Sequence, residues 1–243
     1  MITKNLYLGD CLEVMRKLPD KSIHMILCDL PYGTTNCKWD AIIPFEPLWE
    51  QYKRIIIDNG AIALTASQPF TSKLVMSNIK MFKYEWIWAK DRPTGFLNAK
   101  HMPMKYHENI CMFYKKPPIY NPIKTKNHKP MGTVYKRTPN NNVYNINIPY
   151  KNYGGETERF PGSIQKFNTK KKPMHPSQKP VALFEYLIKT YTNEGMIVLD
   201  NCAGSGTTAI ACLNTNRNFI LIEKEEKYYN IIRDRIGSYF FAE

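Results

Sequence analysis

Ile23-His24-Met25-Ile26-Leu27-Cys28 is a short, almost unbroken apolar run, and it stops at Asp29-Leu30-Pro31-Tyr32-Gly33. A run this short without polar alternation reads as a strand buried on both faces, the pattern of a parallel sheet. An acid, a rigid proline and an aromatic ring then sit together at a strand's carboxyl end, where open α/β sheets bind their ligands. The arrangement recurs after Met196-Ile197-Val198-Leu199, where the chain continues Asp200-Asn201-Cys202-Ala203-Gly204-Ser205-Gly206-Thr207-Thr208. An acceptor, a fixed carbonyl and a flat stacking surface suit the gripping and activation of an exocyclic amino group on a nucleobase. The two stretches together suggest a base-modifying enzyme with a nucleotide-like cofactor.

Strands and helices alternate around these loops. Residues 5–9 read as a short strand ending at Asp10, and a helix over 11–18 carries Leu12, Met15 and Leu18 at helical spacing. Asp10 suits a helix cap and a cofactor contact equally well. A helix over 45–57 is expected to stop at Asn59-Gly60, with a buried strand at 61–66 and a helix over 69–79 beyond it. Strands are expected at 84–89 and 109–114, separated by a polar, basic loop, and Trp86 and Trp88 read as sheet packing. Pro180 opens a helix whose Val181, Phe184, Leu187, Ile188 and Tyr191 share one face, and Gly195 ends it. A strand at 197–199, the glycine loop, a helix through Leu213, a strand at 219–222 ending at Glu223 and a helix over 225–237 complete the chain. From 115 to 176 the pattern breaks down, and only Thr133 to Tyr135 and Val143 to Ile148 look strand-like.

A chain of 243 residues fits one large domain, or one with an inserted lobe. The formal charge of +13 is concentrated between Lys115 and Lys179, where 14 Lys/Arg face only Glu156 and Glu158, a net of +12. Tyr120, Tyr135, Tyr144, Tyr150, Tyr153 and Phe160 interleave with those cations. Cations for phosphates and aromatics for bases form a nucleic-acid pattern. The six cysteines make no C-x-x-C pair, which argues against a metal site or a disulfide framework and for a reducing cytoplasm. No signal peptide or 18-residue apolar run appears, so the expectation is a soluble cytoplasmic protein with no membrane partner.

The loop after Leu199 is strand, glycine turn, helix, which brings backbone and free N–H groups up to a ligand. Glu223, 17 residues past Gly206, is placed to take two ribose hydroxyls. Alone, this loop also satisfies the G-x-G-x-x-A dinucleotide fingerprint and does not choose between a nicotinamide cofactor and S-adenosylmethionine. Asp200 suits a cofactor carrying a methionine ammonium better than a pyrophosphate, and hydride transfer has no need of the Asp29 motif.

These motifs resemble those of the amino-methylating DNA methyltransferases. Asp29-Leu30-Pro31-Tyr32 is similar to the family's Asp/Asn/Ser-Pro-Pro-Tyr/Phe tetrapeptide, and Asp200 to Thr207 to its Asp-x-Phe-x-Gly-x-Gly-Thr cofactor loop. His175-Pro176-Ser177-Gln178-Lys179-Pro180 and Gly9-Asp10-Cys11 resemble two further cofactor segments, and the order of motifs is that of the permuted beta group. Leu30 departs from the first proline but still offers its carbonyl; Cys202 departs from the usual Phe and removes an aromatic wall. The resemblance implies a Rossmann-like α/β fold, a mostly parallel seven-stranded sheet with helices on both faces and an inserted recognition region. Residues 1–116 and 173–243 would be its catalytic and cofactor halves and 117–172 the recognition insert. It implies Asp29, Leu30, Pro31 and Tyr32 as catalytic residues. It implies Asp10, Cys11, Ser177, Lys179, Asp200, Cys202, Gly204, Gly206, Thr207 and Glu223 as contacts for S-adenosyl-L-methionine. Tyr32 would stack on a flipped base, a task a Phe would also perform. The implied reaction is site-specific methylation of adenine N6 in double-stranded DNA, in restriction-modification, by a nucleoid-associated monomer or homodimer beside a cognate restriction endonuclease. The alternatives are cytosine N4 methylation and a non-catalytic cofactor-sensing DNA-binding protein.

Overall fold

The computed structural model describes residues 4–35, 37, 40–132, 134–137, 150–152, 154–170 and 174–240. The chain divides into two compact units, Met1–Asn121 with Ser163–Glu243, and Pro122–Gly162.

The larger unit holds eight strands in one sheet. They are β1 (Lys4–Leu8), β2 (Ile23–Asp29), β3 (Ile56–Ala66), β4 (Phe82–Thr94), β5 (Lys105–Phe113), β8 (Ile164–Lys166), β9 (Ile197–Asp200) and β10 (Asn218–Glu223). In spatial order the sheet runs β1-β10-β9-β2-β3-β5-β4-β8, and β5 alone is antiparallel to its neighbours. The expected seven strands are therefore eight. The addition is β8, three residues at the sheet edge whose mixed polarity gives no periodic signal.

Burial on both sides explains the unbroken apolar runs. Along β2, Ile26 and Cys28 pack with Leu48, Tyr52 and Ile55 of α2 (Phe45–Ile55), with α1 (Cys11–Arg16) and α3 (Phe70–Ser77) on the same face. Met25 and Leu27, the alternate residues, pack with Leu187 and Ile188 of α4 (Val181–Tyr191), Ala209 and Cys212 of α5 (Thr207–Asn214) and Ile232 of α6 (Glu226–Phe240). Each such fully buried aliphatic contributes about 1.5–3 kcal/mol, so a one-residue register slip along β2 would exchange two cores.

Helix α2 ends at Ile55, and Asn59-Gly60 lies inside β3, correcting the expected helix stop. The β2–β3 register jumps from Ile23↔Ile56 to Met25↔Ala61, a bulge around that pair. A Cβ at Gly60 would stand 2.9 Å from the His24 carbonyl oxygen, so close backbone approach demands glycine there.

From β2 the chain crosses through α2 to β3; from β9 it crosses through α5 to β10, on the opposite face and in the opposite direction along the sheet. The adjacent carboxyl ends of β2 and β9 thus form a topological switch point.

In the smaller unit β6 (Val134–Arg137) pairs antiparallel with β7 (Tyr150–Asn152), and Thr125 bridges Arg159. Glu158 lies 3.5 Å from Lys124 and 3.9 Å from Lys126. The strand expected at Val143 to Ile148 lies outside the described residues, as do Lys171 and Lys172. Among the described residues no helix is long and apolar enough to cross a membrane.

Candidate active site

Four neighbouring parallel strands each deliver an acid to one edge of the sheet. Asp10 follows β1, Glu223 ends β10, Asp200 ends β9 and Asp29 ends β2. At about 4.8 Å per strand the row extends roughly 14 Å. A cavity of about 250 Å³ opens along it. Thirteen of the fourteen site residues read from the sequence line that cavity: Asp10, Cys11, Asp29, Leu30, Pro31, Tyr32, Ser177, Lys179, Asp200, Cys202, Gly204, Thr207 and Glu223. Gly206 does not. It is the left-handed N-cap of α5, with φ +77, and a Cβ there would meet Ile232 of α6 at 3.1 Å. Backbone conformation and packing against α6 both call for glycine at this position.

Asp29 is held by three donors. Its Oδ1 accepts from the Tyr32 hydroxyl at 2.8 Å and from the Thr65 hydroxyl, and Lys179 donates to Oδ2 at 2.6 Å. A carboxylate offers about four lone-pair directions, three of which are taken here, and Asp29 lines the cavity. Leu30 is buried in the core, which anchors the start of the loop after β2. Tyr32 stacks on Phe70 with ring centroids 5.1 Å apart. Its hydroxyl fixes Asp29 as well, so stacking alone does not describe it, and a Phe would lose part of its work.

Lys179 reaches this acid because α4 begins just after it. Its ammonium is also 3.3 Å from Glu108 on β5, whose other oxygen is 2.5 Å from Lys90 on β4. Burial opposes the charge on Lys179, but the Asp29 and Glu108 carboxylates outweigh it and leave its pKa raised. Burial likewise pushes Glu108 up, and the Lys179 and Lys90 ammonium groups more than offset this, leaving it lowered. The sequence places Lys179 at the cofactor; its charge is engaged by Asp29 and Glu108.

The other acids are held by their loops. Asp10 caps α1, accepting from Leu12 N at 2.9 Å. Asp200 accepts from the Thr208 hydroxyl and from Cys202 N at 3.1 Å, and burial raises its pKa to about 6. Glu223 accepts from Gly204 N at 2.7 Å and Glu225 N at 2.9 Å, and burial raises its pKa too. Cys202 lies beside Cys11 and Cys28, and thiol–thiol hydrogen bonds raise its pKa. His175, neutralised further by burial, accepts from Ser177 N at Nδ1 and packs edge-on to Tyr228, 4.2 Å away.

The sequence reading missed Thr65, Lys90, Glu108 and Asp40. Asp40 accepts from Gly33 N, Thr34 N and Thr35 N at 2.9, 2.9 and 2.7 Å, fixing the loop that follows Tyr32. None of the four belongs to a local pattern, because each acts across a long sequence gap or a turn.

The acid row chooses among ligands. It favours a molecule carrying hydroxyls and positive charge and repels a pyrophosphate. Gly204 N, which a dinucleotide loop would point at phosphate, donates to Glu223 instead. Among the described residues the Ser205 hydroxyl, in the same wall, is buried with no hydrogen-bond partner.

Comparison with known proteins agrees with this geometry. The N6/N4 family model described as DNA methylase matches residues 23–234. The chain is 27% identical to the Type II methyltransferase M.HpaI of Haemophilus parainfluenzae, over 98% of this chain and 75% of that protein. It is 27% identical to the DNA adenine methyltransferase YhdJ of Escherichia coli (strain K12), over 99% of this chain and 85% of that protein. The crystal structure of the M1.HpyAVI–SAM complex superposes with a TM-score of 0.64 at 24% identity, covering 96% of this chain and 100% of that one.

Proposed function

The chain belongs to the N6/N4 DNA methylase family, and from that premise we propose that it methylates adenine N6 in double-stranded DNA with S-adenosyl-L-methionine as donor. The single observation that carries the chemistry is the Asp29 carboxylate, clamped by Tyr32, Thr65 and Lys179 where it lines the cavity at the end of the acid row.

When bound, S-adenosylmethionine supplies an electrophilic methyl group on a sulfonium. The residues that would hold it are Asp200 and Ser205 toward its amino-acid end, and Glu223 and Asp10 toward its hydroxyls. Asp29 accepts one amino N–H of the target base and the Leu30 carbonyl accepts the other. An aromatic amine is a poor nucleophile because its lone pair is delocalised into the ring. Two acceptors favour a pyramidal nitrogen and stabilise the positive charge that develops there, which is preorganised electrostatic catalysis. The amine exchanges one hydrogen for the methyl group, and the displaced proton leaves through the acceptors to water. Tyr32, Thr65 and Lys179 hold the Asp29 carboxylate still. The base must leave the duplex to reach this edge, at a cost of a few kcal/mol.

Adenine is favoured over cytosine N4 because Asp opens the catalytic tetrapeptide, and because YhdJ is named an adenine enzyme. The basic segment 117–172 is the proposed target-recognition region, and a restriction endonuclease the proposed functional partner. Sequencing with modified-base detection, on DNA from cells expressing the protein, tests the reading. It should return N6-methyladenine at one recurring motif. Unmodified DNA, together with calorimetric binding of NAD but not S-adenosylmethionine, would overturn it.

A further inference from the structure

The hairpin formed by β4 and β5 carries an exposed apolar tip at the catalytic edge. Register fixes where it points: Asp29 is level with Thr65, Thr65 with Ile110, and Lys105 lies five residues further along β5. At about 3.4 Å per residue the hairpin projects roughly 17 Å beyond the level of Asp29 before its turn begins. Phe96 is 78% exposed and Leu97 96%, and Met102 and Tyr106 are also largely exposed. Cations flank them. Arg92, Lys100 and Lys105 are exposed, and the one acid, Asp91, accepts from Thr169 N and Oγ1. At its root the hairpin is tied to the site, since Lys90 and Glu108 complete the charge network around Lys179 and Asp29.

We propose that Phe96 and Leu97 are a wedge that enters the stack of duplex DNA beside the target base and holds open the space the base leaves. The inference rests on the proposed function and adds the device that delivers the base. Apolar wedges of Phe, Leu or Met type unstack base steps, and flanking cations bind the phosphates on either side. A purely solvating hairpin has no use for two adjacent large apolar side chains in water.

The test uses Phe96→Ser/Leu97→Ser in the full chain, with a duplex carrying the motif that sequencing returns. A second duplex has an abasic nucleotide opposite the target, so that the target is already unpaired. The variant should methylate the paired duplex roughly tenfold to hundredfold more slowly than wild type, the equivalent of one unstacked step. On the abasic duplex it should approach wild type. S-adenosylmethionine affinity and thermal midpoint should not change, because both side chains lie outside the cavity and the core. Equal loss on both duplexes, or no loss on either, overturns the wedge. So does sedimentation showing a wild-type dimer that the variant converts to monomer, because the tip would then be an interface between copies. Failure of the wild type on every duplex would count against the proposed function; the ratio between the two substrates within each protein reads the wedge.

Discussion

Removing the Lys179 ammonium should cost a large part of the protein's stability, and the charges around it set the amount. Lys179, Lys90, Asp29 and Glu108 balance as two cations and two anions, and the Lys179 side chain is 5% exposed. Lys179→Met leaves Glu108 paired with Lys90 and takes from the largely buried Asp29 carboxylate its ion-pair partner. Breaking a buried pair by deleting one partner typically costs about 3–5 kcal/mol, because a charge stays behind uncompensated. With a urea slope of about 2 kcal/mol/M, the unfolding midpoint should fall by roughly 1.5–2.5 M; by heat, the drop should be about 6–20 °C. Adding Asp29→Asn removes the anion that has lost its partner and should restore part of the loss. The pH dependence follows from the shifts. Lys179 is raised, so its contribution is present below about pH 10.5 and is lost as pH climbs through its folded value. Glu108 is lowered, so its contribution is present above about pH 4.5 and is lost as pH falls through its folded value. The gap between wild type and Lys179→Met should therefore be widest near neutrality and close at both extremes. An unfolding free energy within about 0.5 kcal/mol of wild type at pH 7 would mean that water already screens the network, and the reasoning would fail.

Asp29→Asn should slow methyl transfer by about 10²–10³-fold while calorimetry finds S-adenosylmethionine affinity nearly unchanged, since the loss is of one preorganised acceptor. Tyr32→Phe should lower single-turnover rates without weakening duplex binding, because its hydroxyl steadies Asp29; an unchanged rate would return Tyr32 to stacking alone. Asp200 titrates at about 6 through burial, so S-adenosylmethionine affinity should weaken as pH falls below that value, by up to about tenfold per unit. The ligand-free protein should respond in the opposite sense at Asp200: its folded pKa exceeds 3.8, so its share of stability decreases as pH rises from about 4 to 6. Replacing Lys170, Lys171 and Lys172 with Gln should flatten the salt dependence of duplex binding by about 0.9 log units for each phosphate the protein ceases to neutralise, whereas an unchanged slope would make them a solubilising linker.

The sheet's centre was legible because burial on both faces leaves unbroken apolar runs, and β2, β9 and β10 show them plainly. The acids at their ends were legible for the same reason, since a carboxylate after such a run breaks the pattern. The ends of β4 and β5 were not: Lys90 to Thr94 and Lys105 to His107 leave the core and become exposed or polar, so no apolar signal marks them. Asn59-Gly60 misled because the pair ordinarily ends helices, while here a tight approach to His24 places it within a strand. The clamp on Asp29 was out of reach, because Thr65 and Lys179 meet it only once the sheet and α4 are assembled. Spacing identified Gly206, but its reason lies in α6, on the far side of the loop.

Methyl transfer to adenine N6 can be read straight from the product by nucleoside mass spectrometry. Unmodified duplex DNA is incubated with the purified protein and S-adenosylmethionine labelled in its methyl group, then digested to nucleosides. Label is expected in N6-methyldeoxyadenosine, with none from the Asp29→Asn protein beyond roughly a hundredth of wild type. Label in N4-methyldeoxycytidine would contradict the choice of base, and no label in any nucleoside would contradict the reaction itself.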